Sequence, residues 1–289
     1  FFHMSNLFRD FYTAKQAIQQ FIGKDKKSQM KRNKLFDEEK ERQVSLVKRI
    51  EKIEVQYNGV PEPCTLIMNK GLSTPYNCAM HISEQITNRS MLAQVNGKLW
   101  DMHRPLTENC ELKLLHFREE DPRNVNEAFW RSCSFILGFV LESAFKDDFN
   151  IQLHSFPHPD VYSGSFVYDV DLDMKECLIA LRMKEKEMEF ERLEINTELA
   201  GEMFSENKYK LSQIPSIAQK SESGVHLTVY RLGEHVDISH GPMVASVACL
   251  NRFQISAVSS NEGLNKGLSD STGVQILLNT HLFFGLTEC

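Results

Sequence analysis

Ala93-Gln94-Val95-Asn96-Gly97-Lys98-Leu99-Trp100-Asp101 is the stretch that decides the fold of the first half of this 289-residue chain. Asn-Gly closes a two-residue turn at low steric cost, because both residues accept the positive φ that such a turn requires. The strands Met91–Val95 and Lys98–Trp100 therefore pair antiparallel. Reading outward, Lys52 to Tyr57 alternates polar and apolar residues, as a half-buried strand does, and Cys64 to Met68 gives a second strand after a Pro-containing turn. Ser73-Thr74-Pro75 opens a helix running to about Asn88, with Pro75 near its first position, where a missing N–H costs nothing. Cys110 to Phe117 closes the sheet. The result is a small β domain wrapped on one helix.

Beyond the polar linker Arg118–Asn124, the residues Phe129, Cys133, Ile136, Leu137, Val140, Leu141 and Ala144 make a helix from Val125 to Phe145 apolar on most sides. Asn124 is its expected cap. Strands follow at Ile151–Leu153, Ser165–Asp171, Leu227–Tyr230 and Cys249–Val258. A charged helix is expected around Lys175–Met188 and another over Glu194–Met203. Ser259 to Thr272, rich in Ser, Gly and Asn, reads as a loop. The alternation fits an α+β second domain.

Asp237-Ile238-Ser239-His240-Gly241-Pro242-Met243 resembles the Asp-Leu-Cys-Arg-Gly-Pro-His segment of the threonyl-tRNA synthetase editing domain, with Ser239 and Met243 standing where that family has its Cys and His. Trp130-Arg131-Ser132-Cys133-Ser134-Phe135 matches a helical run in which the family carries two His four residues apart, on one helix face. Those positions are Arg131 and Phe135. A guanidinium is permanently protonated and a phenyl ring has no lone pair, so neither serves as a base. All four positions are degenerate, and the resemblance implies an editing-like body with no catalytic residue, metal or cofactor. Gly164–Asp169, Tyr209-Lys210 and Val229–Gly233 also match, which places Tyr168, Lys210 and Asp237 around a possible remnant cleft. The first half resembles the same family's ubiquitin-like TGS domain, through its element order and through the Ala93–Asp101 hairpin. No phosphate-binding Gly-rich loop or nucleophile elbow accompanies it.

The net charge is −6, but residues 1–52 hold thirteen Lys/Arg against seven Asp/Glu, leaving −12 on the rest. Such asymmetry points to a nucleic-acid or acidic partner for the basic end, or to a solvated helix. Leu7, Phe11, Ala14, Ile18 and Phe21 form one face of a helix over 7–22, suited to a neighbour's groove or to the chain's own body. Lys24, Lys26, Lys27, Lys31, Arg32 and Lys34 belong to a second helix, expected to be exposed, whose weak apolar side is Leu35, Val44, Val47 and Ile50. These six are the candidate RNA-binding residues, contacting phosphates rather than bases. The opening Phe1 marks a fragment or a processed form, and Arg9 and Lys15 beside Asp10 make no transit peptide by themselves. No apolar run of about 18 residues is present, so no membrane span is expected. Seven Cys without a Cys-x-x-Cys pair fit buried thiols in a reducing compartment.

Arg32–Phe36, Cys78–His81, Phe129–Cys133 and Ala144–Asp147 resemble a family of mitochondrial large-subunit ribosomal proteins that carry non-catalytic TGS and editing-like domains. The synthetase resemblance covers about residues 51–258, and the ribosomal one reaches back to Arg32–Phe36. The latter implies a basic helical extension over 1–50, a TGS-like domain over 51–118, an editing-like domain over 125–258, and a loop and tail over 259–289. It further implies a matrix location on the ribosome, with large-subunit ribosomal RNA and neighbouring ribosomal proteins as partners, the latter through the N-terminal helix. Two alternatives stay open: a stand-alone aminoacyl-tRNA deacylase using His240, Cys133 and Lys210, and a free tRNA-binding module.

Overall fold

The computed structural model describes residues 27–144, 151–155, 165–172, 188–221, 224–247, 254–260 and 273–279. The expected helices over 7–22 and around 175–188 lie outside them, as do Lys24 and Lys26. The Ser259–Thr272 loop is described only at its first two residues, which end a strand.

The first half is a five-stranded mixed sheet, β1 Lys52–Tyr57, β2 Cys64–Asn69, β3 Leu92–Val95, β4 Lys98–Trp100 and β5 Cys110–Leu115, in the order β2-β1-β5-β3-β4. The Asn96-Gly97 turn has φ of 49° and 80°, as the hairpin required. Asn96 also ties the hairpin to β5, since its Oδ1 accepts from Glu111 N at 2.9 Å. The single expected helix is two, α2 Pro75–Ile82 and α3 Glu84–Arg89. Ser83 ends the first in extended conformation, and its side chain caps the second at Ile86 N. Thr74 and Asn77 close a capping box at the start of α2.

The second half is built on α4, Arg123–Ala144, which is buried along most of its length. The helix begins two residues before the sequence places it, so Asn124 lies inside it rather than capping it, and Asp121 Oδ1 accepts from Arg123 N at 3.3 Å. One sheet runs β11-β12-β7-β6 (β6 Ile151–Ser155, β7 Ser165–Leu172, β11 Gln254–Ser260, β12 Gly273–Asn279). The other runs β10-β9-β8 (β8 Glu191–Asn196, β9 His226–Leu232, β10 His235–Ile238). α5 Thr197–Met203 and α6 Lys208–Lys220 cover this half.

Several expectations change. Residues 194–196 belong to β8, whose alternation Leu193-in, Glu194-out, Ile195-in pairs them with β9 rather than with the helix that follows. The segment 259–289, read as loop and tail, contains β12, which pairs with β7 from Gly273↔Asp171 to Asn279↔Ser165. The basic helix α1, Lys27–Ser45, is not an exposed arm. Phe36 has no solvent exposure and joins the cluster of Leu193, Phe204, Val229 and Val236. Of the expected apolar side, Leu35 packs against this cluster and Val47 is half-buried, whereas Val44 and Ile50 are exposed.

Candidate functional site

Arg131, Phe135, Ser239 and Met243, read from the sequence as degenerate editing-site positions, lie along one seam. Arg131 and Phe135, four apart on α4, face the segment that leaves β10 at Ser239. Arg131 Nη1 donates to Pro242 O at 2.8 Å. Ser132 Oγ donates to Ala128 O and accepts from Val244 N at 3.0 Å, with Met243 Sδ at 3.5 Å. Phe135 has no exposure and meets Phe190, Tyr230 and His235 edge to face, at 5.7, 6.4 and 5.0 Å between ring centres. Met243 lies in the same apolar cluster as Phe135. Ser239 Oγ accepts from Gly241 N at 3.4 Å. Where a hydrolytic site needs a base and a water beside a reachable carbonyl, this seam holds packed hydrocarbon, hydrogen-bonded backbone and the buried Arg131 guanidinium, whose Nε has no partner.

Tyr168, Lys210 and Asp237 also converge, but no open cleft lies between them. All three are buried. Lys210, positioned by the Asn207 cap at the start of α6, reaches Asp237 Oδ1 at 2.6 Å. The Tyr168 hydroxyl donates to the other carboxylate oxygen of Asp237. Burial, followed by the Asp237 charge, holds the Tyr168 phenol well above its ordinary range. Burial alone would raise the Asp237 carboxyl. Lys210, then His235, outweigh it and hold the carboxyl low.

Against this trio sits a second, unforeseen group. Glu142 projects from α4 to receive Arg32 Nη2 on one oxygen and His235 Nδ1, at 2.5 Å, on the other. Arg32 Nη1 continues to Val236 O at 3.2 Å. Burial opposes the charge on Glu142, yet Arg32 and His235 together keep its carboxyl far below the usual range. The side-chain charges of Arg32 and Lys210 balance those of Glu142 and Asp237. One polar atom of the centre, His235 Nε2, is buried without a hydrogen-bond partner. Among the described residues no three His, Cys, Asp or Glu side chains form a metal-binding group. Sequence carried one signal for Glu142, the only acid between Phe129 and Ala144 on an apolar helix.

Arg32 is therefore a correction, because a guanidinium held inside the body cannot lie along RNA. Of the other candidate RNA-binding residues, Lys31 Nζ donates to Ser205 Oγ at 2.9 Å, Lys34 is exposed 3.7 Å from Glu38, and Lys27 is exposed. The residues weighed for a deacylase are spread out: Cys133 and Lys210 are buried, while His240 is exposed.

A third feature joins the two halves. Asp101, which ends the decisive hairpin, is buried against the second half. It accepts from the Tyr230 hydroxyl at 2.9 and 3.0 Å and from Met243 N at 2.9 Å, with Arg192 Nε at 3.5 Å. Ala245 N donates to Met91 O beside it. Burial raises the Asp101 carboxyl despite Arg192.

Among known proteins, the TGS domain family model matches residues 60–116. Large ribosomal subunit protein mL39 of Drosophila melanogaster is 47% identical over 278 residues, 89% of this chain and 82% of that protein. Cytoplasmic threonine–tRNA ligase 2 of Homo sapiens is 32% identical over 198 residues, 65% of this chain but 23% of the ligase. Mitochondrial threonine–tRNA ligase 1 of Arabidopsis thaliana is 29% identical over 235 residues, 80% of this chain and 32% of that enzyme. The chain thus spans about a quarter to a third of the ligases it matches and most of the ribosomal relative, and it belongs to the mL39 family of large ribosomal subunit proteins.

Proposed function

We propose that this protein is a structural constituent of the mitochondrial large ribosomal subunit, with no catalytic role. The observation that carries the reading is the 47% identity to the Drosophila mL39 protein over 89% of this chain and 82% of that one. The centre supports it independently. Each position where the synthetase editing family has Cys or His holds a group without that chemistry, and the cleft is filled by protein. The finer assignment is that the chain meets ribosomal RNA and neighbouring ribosomal proteins through its basic N-terminal part. Lys27 and Lys34 on the solvent side of α1 are suited to phosphates, and the acidic remainder faces basic proteins. Within the described residues no helix is long and apolar enough to cross a membrane.

The test is sedimentation of the tagged protein from mitochondrial lysate. Cosedimentation with the large subunit, lost on RNase treatment, is the expected result. A slow soluble species indifferent to RNase would overturn the reading. In a parallel assay, purified protein should leave seryl-tRNA intact, and hydrolysis that Lys210→Ala abolishes would reinstate an enzyme.

A further inference from the structure

We propose that Arg32 is the resident occupant of a guanidinium-binding site, and that the emptied site takes a small guanidinium or alkylammonium cation. Arg32 comes from α1, but most of what receives it comes from elsewhere. Glu142 supplies a carboxylate from α4, Val236 a carbonyl from β10 at 3.2 Å, and Phe204 a ring face at 5.9 Å, just past α5. From α1 itself the Arg32 side chain takes only a long bond, Nε to Ser28 O at 3.4 Å. Each wall is held independently of Arg32. Glu142 is oriented by His235, and His235 is fixed by the edge of Phe135 and by close approach to α4 at Gly138. Val236 lies in the β9–β10 ladder, and Phe204 is part of the apolar core.

The receptor therefore outlasts removal of its occupant, and its chemistry then demands a replacement. An anion as buried as Glu142 is costly once it loses Arg32, even with His235 still on its other oxygen. Lys210 is committed to Asp237, and His235 already occupies the other oxygen of Glu142, so neither fills the place of the guanidinium. A planar cation with several N–H donors satisfies carboxylate, carbonyl and ring face together, as a point-charge ammonium does less well.

The test uses the full chain. Arg32→Gly leaves the receptor and removes the side chain. Its thermal midpoint should rise with added ethylguanidinium, in the logarithmic manner of a ligand that binds only the folded state. Ethylammonium should act more weakly, and tetramethylammonium at equal ionic strength should not act at all. The wild-type midpoint should not rise, and Arg32→Gly with Glu142→Gln should lose the response. An equal response in wild type, or one that survives in the double variant, overturns the proposal. Should Arg32→Gly fail to fold, hydrogen exchange on the wild-type chain decides. Ethylguanidinium should accelerate exchange of the α1 amides over tetramethylammonium while β1–β5 stay unchanged, because it captures the site whenever α1 lifts. Identical α1 exchange in the two cations overturns the proposal.

Discussion

Glu142 concentrates the physics of the centre in one side chain. Its carboxyl, like that of Asp237, is held below the ordinary range in the folded protein. The unfolded chain therefore takes up these two protons first as pH falls, near the free carboxylate value of about 4. The stabilisation is complete above that value and drains away below it, toward the depressed folded values. Glu142→Gln should cost about 3 kcal/mol near neutral pH, because it leaves Arg32 buried without its anion, and it should flatten the acid limb of the stability curve. Urea unfolding across pH measures both. At Gly138 an added Cβ would lie 2.7 Å from Tyr168 Cε2 and 3.3 Å from His235 Nε2. Gly138→Ala should then lose about 1–3 kcal/mol despite better helix propensity, with a lowered thermal midpoint as the readout. Arg131, Phe135, Ser239 and Met243 could be singled out in sequence because each sits inside a short fixed-spacing motif. Arg32 could not. It lies in a run of lysines, and its partners Glu142 and Val236 are 110 and 204 residues away.

At the scale of elements, α1 shows how much a face depends on its seat. Its helical character was legible from a long run without Gly or Pro. The buried side was misread because Val44 and Ile50 are more obviously apolar than the Arg32–Phe36 pair that faces the body. Phe36 lies under the Arg231 guanidinium at 4.3 Å, and Asp37 pairs with the same Arg231 at 2.6 Å. Phe36→Ala should therefore cost about 3 kcal/mol or more, whereas Val44→Ala on the same helix should stay within about 0.5 kcal/mol. Paired denaturation curves check the contrast. The TGS-like sheet was readable because its turn and capping chemistry is local. The helix α6 went unread, with Pro215 inside it, and so did β12. Both depend on a distant surface, the β6 strand for α6 and β7 for β12.

For the molecule as a whole, Asp101 is the clasp. It draws the tip of the hairpin into contact with both Tyr230 and Met243, so one carboxylate satisfies donors of the second half. Asp101→Ala should strand the Tyr230 hydroxyl and the Met243 amide at about 1–3 kcal/mol each. It should also split a single calorimetric transition into two, one for each half. A transition that stays single would show that the apolar contacts alone couple them. The seat of α1 carries a different consequence, one of timing. That helix is made early, but Val236 and Arg231, which hold it, follow about two hundred residues later. Synthesis proceeds at about 5–20 residues per second, so α1 waits on the order of ten seconds or more with no place to dock. Arg32 has no seat for that interval and is withdrawn only when β10 arrives, while Lys27 and Lys34 stay on the solvent side. The same chain thus offers one surface while it is being made and another once it is complete.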